Sequence, residues 1–216
     1  MDILQLIVLG IVQGLTEFLP VSSSAHLVLT SILLGWDDQG LVIDIAAHAG
    51  SLCAVIAYFR KELGNMLLAI TRPSAAESAS DIKMIISIVI ATLPIVIAGL
   101  LFSSAIEEYL RSAHVIVFTT IFFALLLLYA DRTAKNINDE YQLKWHGLIF
   151  NGCAQALALI PGTSRSGITL TAGLMLGLTR VAAARFSFLI SIPTILAAIL
   201  YKAIHCLLYT SDAADE

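Results

Sequence analysis

Residues 17–26 read "EFLPVSSSAH", and they interrupt an apolar run that begins at Ile3 and resumes as "LVLTSILLG" from Leu27. A carboxylate, a proline, three consecutive serines and a histidine here occupy a segment otherwise suited to hydrocarbon. Pro20 withholds a backbone donor and crowds the preceding turn, so a helix is not expected to run through it. The flanking pieces, residues 3–19 and 22–35, are then short half-helices. Pieces of about 14 residues do not cross a bilayer alone. A second segment, "PGTSRSG" at 161–167, divides residues 147–160 from 166–178 in the same way. Broken helices at membrane depth are tolerated where their backbone lines a protein-walled cavity, so both regions are expected to form re-entrant helical hairpins.

The rest of the chain places those hairpins in a membrane. Of 216 residues, 58% are hydrophobic and 13% charged, and the mean hydropathy is +0.89. That is far more apolar than a soluble domain. Candidate spans are residues 43–59, 83–102, 113–130 and 182–203. They lack the alternation of barrel strands, so the expected class is all-α, a polytopic membrane protein. A formal net charge of −4 and a pI near 5.7 provide no basic field for nucleic acid. No Lys or Arg precedes Arg60 and Asp2 occupies the start, which argues against a secretory signal. Cys53, Cys153 and Cys206 lie in apolar context without metal or disulfide spacing, and no role is assigned to them.

Charge sets the expected orientation, because cytoplasmic loops collect Lys and Arg. Arg60, Lys61, Arg72 and Lys83 mark one inside loop, Arg132, Lys135 and Lys144 a second, and Arg180 and Arg185 a third. The 103–112 connection, with Glu107 and Glu108 against Arg111, and residues 36–44, with Asp37, Asp38 and Asp44, fall outside. The first hairpin then dips from the outside and the second from the cytoplasm.

Opposed hairpins invite a repeat, and the letters supply one: "VQGLTEFLPVSSSAHLVLTSILLG" lies beside "AQALALIPGTSRSGITLTAGLMLG". Opposed insertion with similarity describes an inverted-topology repeat whose tips meet near the midplane. Residues 1–205 are read as one transmembrane domain, with repeat 1 at about 1–130 and an incomplete repeat 2 at about 147–205. The first hairpin is followed by three spans and the second by one, so two are expected to be missing. Residues 206–216 read as an atypical tail, either non-native or a short ordinary polar end.

Glu17 is the strongest single anomaly, since an ionisable group in a membrane segment is costly. Gln13 lies one turn earlier on the same face, and the two offer oxygens suited to a hard divalent cation such as Mg²⁺ or Ca²⁺. The bland alternative has Glu17 reaching to interfacial water. Ser22, Ser23 and Ser24 could serve only helix packing, but His26 follows Ser23 within reach of a nucleophile–base or phosphate-binding arrangement. Arg165 carries the second half: its planar fork matches phosphate oxygens, and burying it without an anion would be expensive. Thr163, Ser164, Ser166 and Thr169 add hydroxyls, Gly162 and Gly167 permit close backbone approach, and the next half-helix points its N-terminus the same way. Arg165 could instead pair with Glu17 across the repeat, and both can hold in an empty site. His48 is a weaker candidate. Together these groups suit phosphoryl chemistry on a molecule that lives in the membrane.

"QGLTEFLPVSSSAH" with "LIPGTSRSGITLTAGLMLG" resembles the bacterial undecaprenyl-diphosphate phosphatases of the bacitracin-resistance type, from about residue 1 to 203. The resemblance implies removal of the terminal phosphate of undecaprenyl diphosphate at the outer face of the plasma membrane, recycling the carrier for peptidoglycan synthesis and giving bacitracin resistance. It implies a polyprenyl diphosphate lipid as substrate and a divalent cation, and leaves a homodimer open. The family's E/Q-x-x-x-E motif falls on Gln13 and Glu17, its catalytic hydroxyl and histidine positions on Ser23, Ser24 and His26, and its P-G-x-S-R-S-G motif on Pro161–Gly167 with Arg165 as the essential cation. Members of that family run further at the C-terminus. Whether Ser23 or a water activated by His26 attacks phosphorus stays open. The rival class is a carrier that flips a prenyl phosphate with the same anion cradle and no nucleophile; a purely structural subunit leaves Glu17 and Arg165 unexplained.

Overall fold

The computed structural model describes residues 2–37, 40–73, 78–110 and 112–212. The side chains of Glu107 and Glu108, with Asp38, Arg111 and the end of the tail from 213, lie outside the described residues. The fold is all-helical. Helices α1 (Ile3–Thr16) and α2 (Ser23–Leu34) flank the first break, and α7 (Trp145–Ala156) and α8 (Arg165–Met175) flank the second. Between and after them come α3 (Gly40–Tyr58), α4 (Arg60–Thr71), α5 (Ser78–Tyr109), α6 (Ala113–Thr133) and α9 (Arg180–Asp212).

Local chemistry sets the ends of the short helices. Asp2 accepts from the Gln5 amide while the Gln5 side chain accepts from the Asp2 amide, closing a capping box on α1. Beyond the proline of each break a serine caps the next helix: Ser22 accepts from the Ala25 amide and Ser164 from the Gly167 amide. Gly35 and Gly177, both in the left-handed region, end the half-helices beyond those caps.

Among the described residues, three helices have the length and apolar composition to cross a membrane, over Ser78–Ser103, His114–Thr133 and Arg180–Ile204. The expected span at 43–59 differs: α3 stops at Tyr58 and bends by 74° into α4, so the two form at most one broken span. Helix α9 continues through Asp212, into the residues read as the tail. Helices α1 and α2 are apolar but short.

The core gathers on α9, which packs against α3, α5 and α8 and whose Phe186, Leu189 and Ile190 are fully buried. Lipid tails are as apolar as Leu, so helix association in a bilayer depends on close packing rather than on hydrophobic exclusion. Gly152 of α7 shows how close: an added Cβ would meet the Ala91 carbonyl at 2.6 Å and Pro94 at 2.8 Å. Buried Gln155, one turn on, donates to that same Ala91 carbonyl at 3.1 Å and accepts from Thr194 of α9. At the far end of α9, Arg185 holds Glu62 of α4 at 2.8 Å and buried Glu140 at 3.1 Å. Thus α9 is tied to its neighbours by polar bonds at both levels.

Candidate active site

The two breaks meet. Ser166 of the second loop donates to the Leu19 carbonyl of the first, and a Cβ on Gly167 would touch Pro20 at 3.5 Å. Phe18 stacks edge-on against Phe188 of α9 with centroids 5.4 Å apart, which fixes the end of α1 against the core.

Glu17 stands at the centre of this junction. It caps α1, its amide donating to the Gln13 carbonyl, and it is only 7% exposed. Its Oε2 accepts from Gln13 Nε2 at 2.9 Å and from Ser23 Oγ at 2.8 Å. Its Oε1 accepts from Arg165 Nη2 at 3.0 Å. His48 of α3 brings Nε2 to 3.7 Å from Oε2. One carboxylate therefore collects groups from α1, α2, α3 and α8.

Several donors and acceptors in this cluster are left over. Gln13 Oε1, Arg165 Nη1 and Thr163 Oγ1 are buried without a hydrogen-bond partner. Leaving a buried polar atom unpaired costs about 1–3 kcal/mol. Of these, Arg165 Nη1 and Thr163 Oγ1 can donate to ligand oxygens, whereas Gln13 Oε1 can only accept or ligate a cation. The donor set fits a hard cation in kind, offering a carboxylate and an unpaired amide oxygen. Among the described residues there is no group of three or more His, Cys, Asp or Glu, so such a cation would complete its shell with substrate oxygens or water.

The other expected site residues divide into two sets. Gly162, with φ of +89°, carries the loop against α6, where Thr119 donates to the Pro161 carbonyl and Thr120 to the Gly162 carbonyl. Ser164 and Ser166 share a 3.1 Å hydrogen bond, and Thr169 is directed into the core toward Ser187 at 2.6 Å. Thr169 thus buttresses α8 from behind. After the first break Ser22 caps α2 and lies 3.3 Å from exposed Ser24. His26 is exposed, with Nδ1 donating to the Ser22 carbonyl at 2.7 Å, and is not among the groups on Glu17. The histidine beside Glu17 is His48. Its only sequence signal was a ring among small residues in "AAHAGSL", which any helix-packing histidine would share.

Comparison with known proteins identifies relatives over nearly the whole chain. The bacitracin resistance protein BacA family matches residues 6–215. Undecaprenyl-diphosphatase 1 of Pseudoalteromonas translucida is 56% identical over 196 residues, covering 90% of this chain and 74% of that protein. Undecaprenyl-diphosphatase 2 of Stutzerimonas stutzeri is 55% identical over 206 residues, 92% of this chain and 75% of the relative. The undecaprenyl-diphosphatase of Alteromonas mediterranea is 52% identical over 216 residues, 100% of this chain and 81% of its own length. With nearly every residue matched, this chain belongs to the bacitracin resistance protein BacA family.

Proposed function

We propose that this chain is an undecaprenyl-diphosphate phosphatase that releases inorganic phosphate and returns undecaprenyl phosphate, the lipid carrier of peptidoglycan synthesis, so conferring bacitracin resistance. The names of its relatives support the activity. The observation that carries it is the single carboxylate of Glu17, held at once by Ser23 and by Arg165.

The chemistry is the consequence of that geometry. Ser23 Oγ already donates to Glu17 Oε2, the relation of an activated nucleophile to its base. Oγ attacks the terminal phosphorus and passes its proton to Glu17, while the bond from phosphorus to the bridging oxygen breaks and the lipid monophosphate leaves. Water then hydrolyses the phosphoserine and restores the hydroxyl. Arg165, with Nη1 unpaired, neutralises charge on the transferred phosphoryl oxygens, and Thr163, with Oγ1 unpaired, is a further hydroxyl donor, while Ser164 and Ser166 hold the loop. The lipid monophosphate leaves as its anion, and exposed His26, with Nδ1 held by the Ser22 carbonyl, offers Nε2 as the base for the water that hydrolyses the phosphoserine. Gln13 Oε1 and Glu17 would hold a divalent cation, which supplies further neutralisation of the diphosphate.

The same reading makes the two breaks re-entrant hairpins of an inverted-topology repeat in the bacterial plasma membrane, with the site open to the outer side. One sequence offset relates Gln13 to Gln155, Ser22 to Ser164 and Gly35 to Gly177, which supports a repeat. The distribution of Lys and Arg supports the orientation.

The test is phosphate release from a prenyl diphosphate by purified protein, with and without EDTA, for the wild type and Arg165→Ala. Release that stops with EDTA and with the substitution is expected. Lipid flux across liposomes without phosphate release would replace the phosphatase with a carrier.

A further inference from the structure

We propose that Thr119 of α6, which lies outside both breaks, is a positioning residue of the reaction: its hydroxyl selects one of two forms of the turn at 160–163 that leads into Arg165. The inference rests on the phosphatase reading and deepens it.

The turn is defined by its own residues. The Thr163 amide donates to the Ile160 carbonyl at 3.1 Å, Pro161 holds the second place, and Gly162 in the third has φ of +89°. Among the described residues every peptide is trans, and the proline ring keeps φ of Pro161 negative. That combination is a type II turn. The type I turn accepts the same proline and the same end-to-end hydrogen bond, and differs by rotation of the middle peptide, here Pro161–Gly162. Glycine populates negative φ as readily as positive, so it fits both forms. The choice between them is left to something outside the turn.

Thr119 makes that choice. Its single hydroxyl hydrogen has three carbonyl oxygens in reach: Pro161 at 2.7 Å, Val115 at 2.9 Å and Ile116 at 3.1 Å. The last two lie inside α6, where helical amides already serve them. The Pro161 carbonyl has Thr119 as its one partner among the described residues. It also belongs to the peptide that rotates, so a change to type I breaks this hydrogen bond. Thr120 grips the neighbouring carbonyl, of Gly162, at 3.0 Å. That next peptide keeps its place in both forms.

The two forms differ in what they offer an anion. A peptide is planar, so with the Pro161 carbonyl turned to α6 the Gly162 amide hydrogen faces the opposite way. This amide has no partner among the described residues. In the type II form it joins the unpaired Thr163 Oγ1 and Arg165 Nη1 as a donor to phosphoryl oxygen. In the type I form a carbonyl oxygen takes its place, and a carbonyl repels an anion. Thr119 acts through this peptide and does not touch the substrate.

Hydrolysis of a prenyl diphosphate is followed in detergent at fixed Mg²⁺, with inorganic phosphate as a competitive inhibitor, for the wild type, Thr119→Val, Thr119→Ala, Thr119→Ser and Thr120→Val. When only one form of the free protein binds the anion, apparent affinity falls with the fraction in that form. KM and the phosphate Ki are therefore expected to rise together by about tenfold in Thr119→Val and Thr119→Ala, the population ratio that one hydrogen bond controls. The kcat stays within about twofold, Thr119→Ser, which keeps the hydroxyl, lies close to the wild type, and Thr120→Val shows the smaller rise. An unchanged KM in Thr119→Val, or a loss confined to kcat, overturns the proposal. Equal effects of Thr119→Val and Thr120→Val also overturn it, because α6 would then be a general anchor with no choice of turn. So does a failure of both hydroxyl-free variants to fold, which would make Thr119 structural. An inactive wild type would instead remove the phosphatase reading, and this proposal with it.

Discussion

Arg165, at the first turn of α8, places Nη2 3.0 Å from Glu17 Oε1 at the end of α1, so the two interrupted helical regions are joined by one buried ion pair. Its other terminal nitrogen, Nη1, has no partner. Half of the guanidinium joins the two regions, and half is unpaired.

Arg165→Ala therefore removes both a structural partner and an anion donor. Breaking a buried pair from one side costs about 3–5 kcal/mol. Phosphate release is expected to fall by about 10²–10³-fold, with a lower melting temperature by detergent thermal-shift. Arg165→Lys keeps the charge but loses the fork, so melting should recover more than activity does.

Gln13→Leu separates the cation from the rest of the site. The unpaired Gln13 Oε1 is lost while Glu17, Ser23 and Arg165 stay in contact. Titration of phosphate release with Mg²⁺ after EDTA treatment should show a half-saturating concentration raised by about tenfold or more, in line with loss of a group at a metal site. An unchanged titration would remove Gln13 from the cation site.

Ser22 and Ser23 are neighbours with different duties. Ser22 accepts from the Ala25 amide and caps α2, so Ser22→Ala is expected to cost about 1 kcal/mol of stability while retaining turnover. Ser23→Ala should leave the melting temperature nearly unchanged and abolish turnover. Phosphorylated protein trapped by acid quench in the wild type and absent from Ser23→Ala would identify the nucleophile; its absence from both would favour water.

Gly162→Ala tests the seating of the second loop. At φ +89° a side chain is strained, and the added Cβ would meet Thr119 Oγ1 at 2.4 Å and the Ile116 carbonyl at 2.5 Å. A loss above about 1 kcal/mol and weaker substrate affinity are expected, read from the melting temperature and KM. Wild-type melting would show that α6 does not anchor this loop.

The sequence alone determined the helix class, both breaks and the chemistry of the polar groups, because each rests on a local rule. Pro20 and Pro161 stand in the two breaks with hydroxyl residues directly after them, unlike Pro94 and Pro193, which lie inside α5 and α9; Ser22 and Ser164 cap the helices beyond the breaks, and Glu17 and Arg165 in apolar runs demand partners. The turn after Tyr58 was less legible: "YFRKEL" holds no proline or glycine, and the 74° bend reflects how α3 packs on α1 and α9. The tertiary structure alone decided which histidine faces Glu17. His26 is three residues from Ser23 in sequence, but on α2 its ring turns outward; His48 is far along the chain, yet α3 packs against α1 and delivers it. Sequence spacing reports neighbours on one helix, whereas contact between helices depends on how their faces pack.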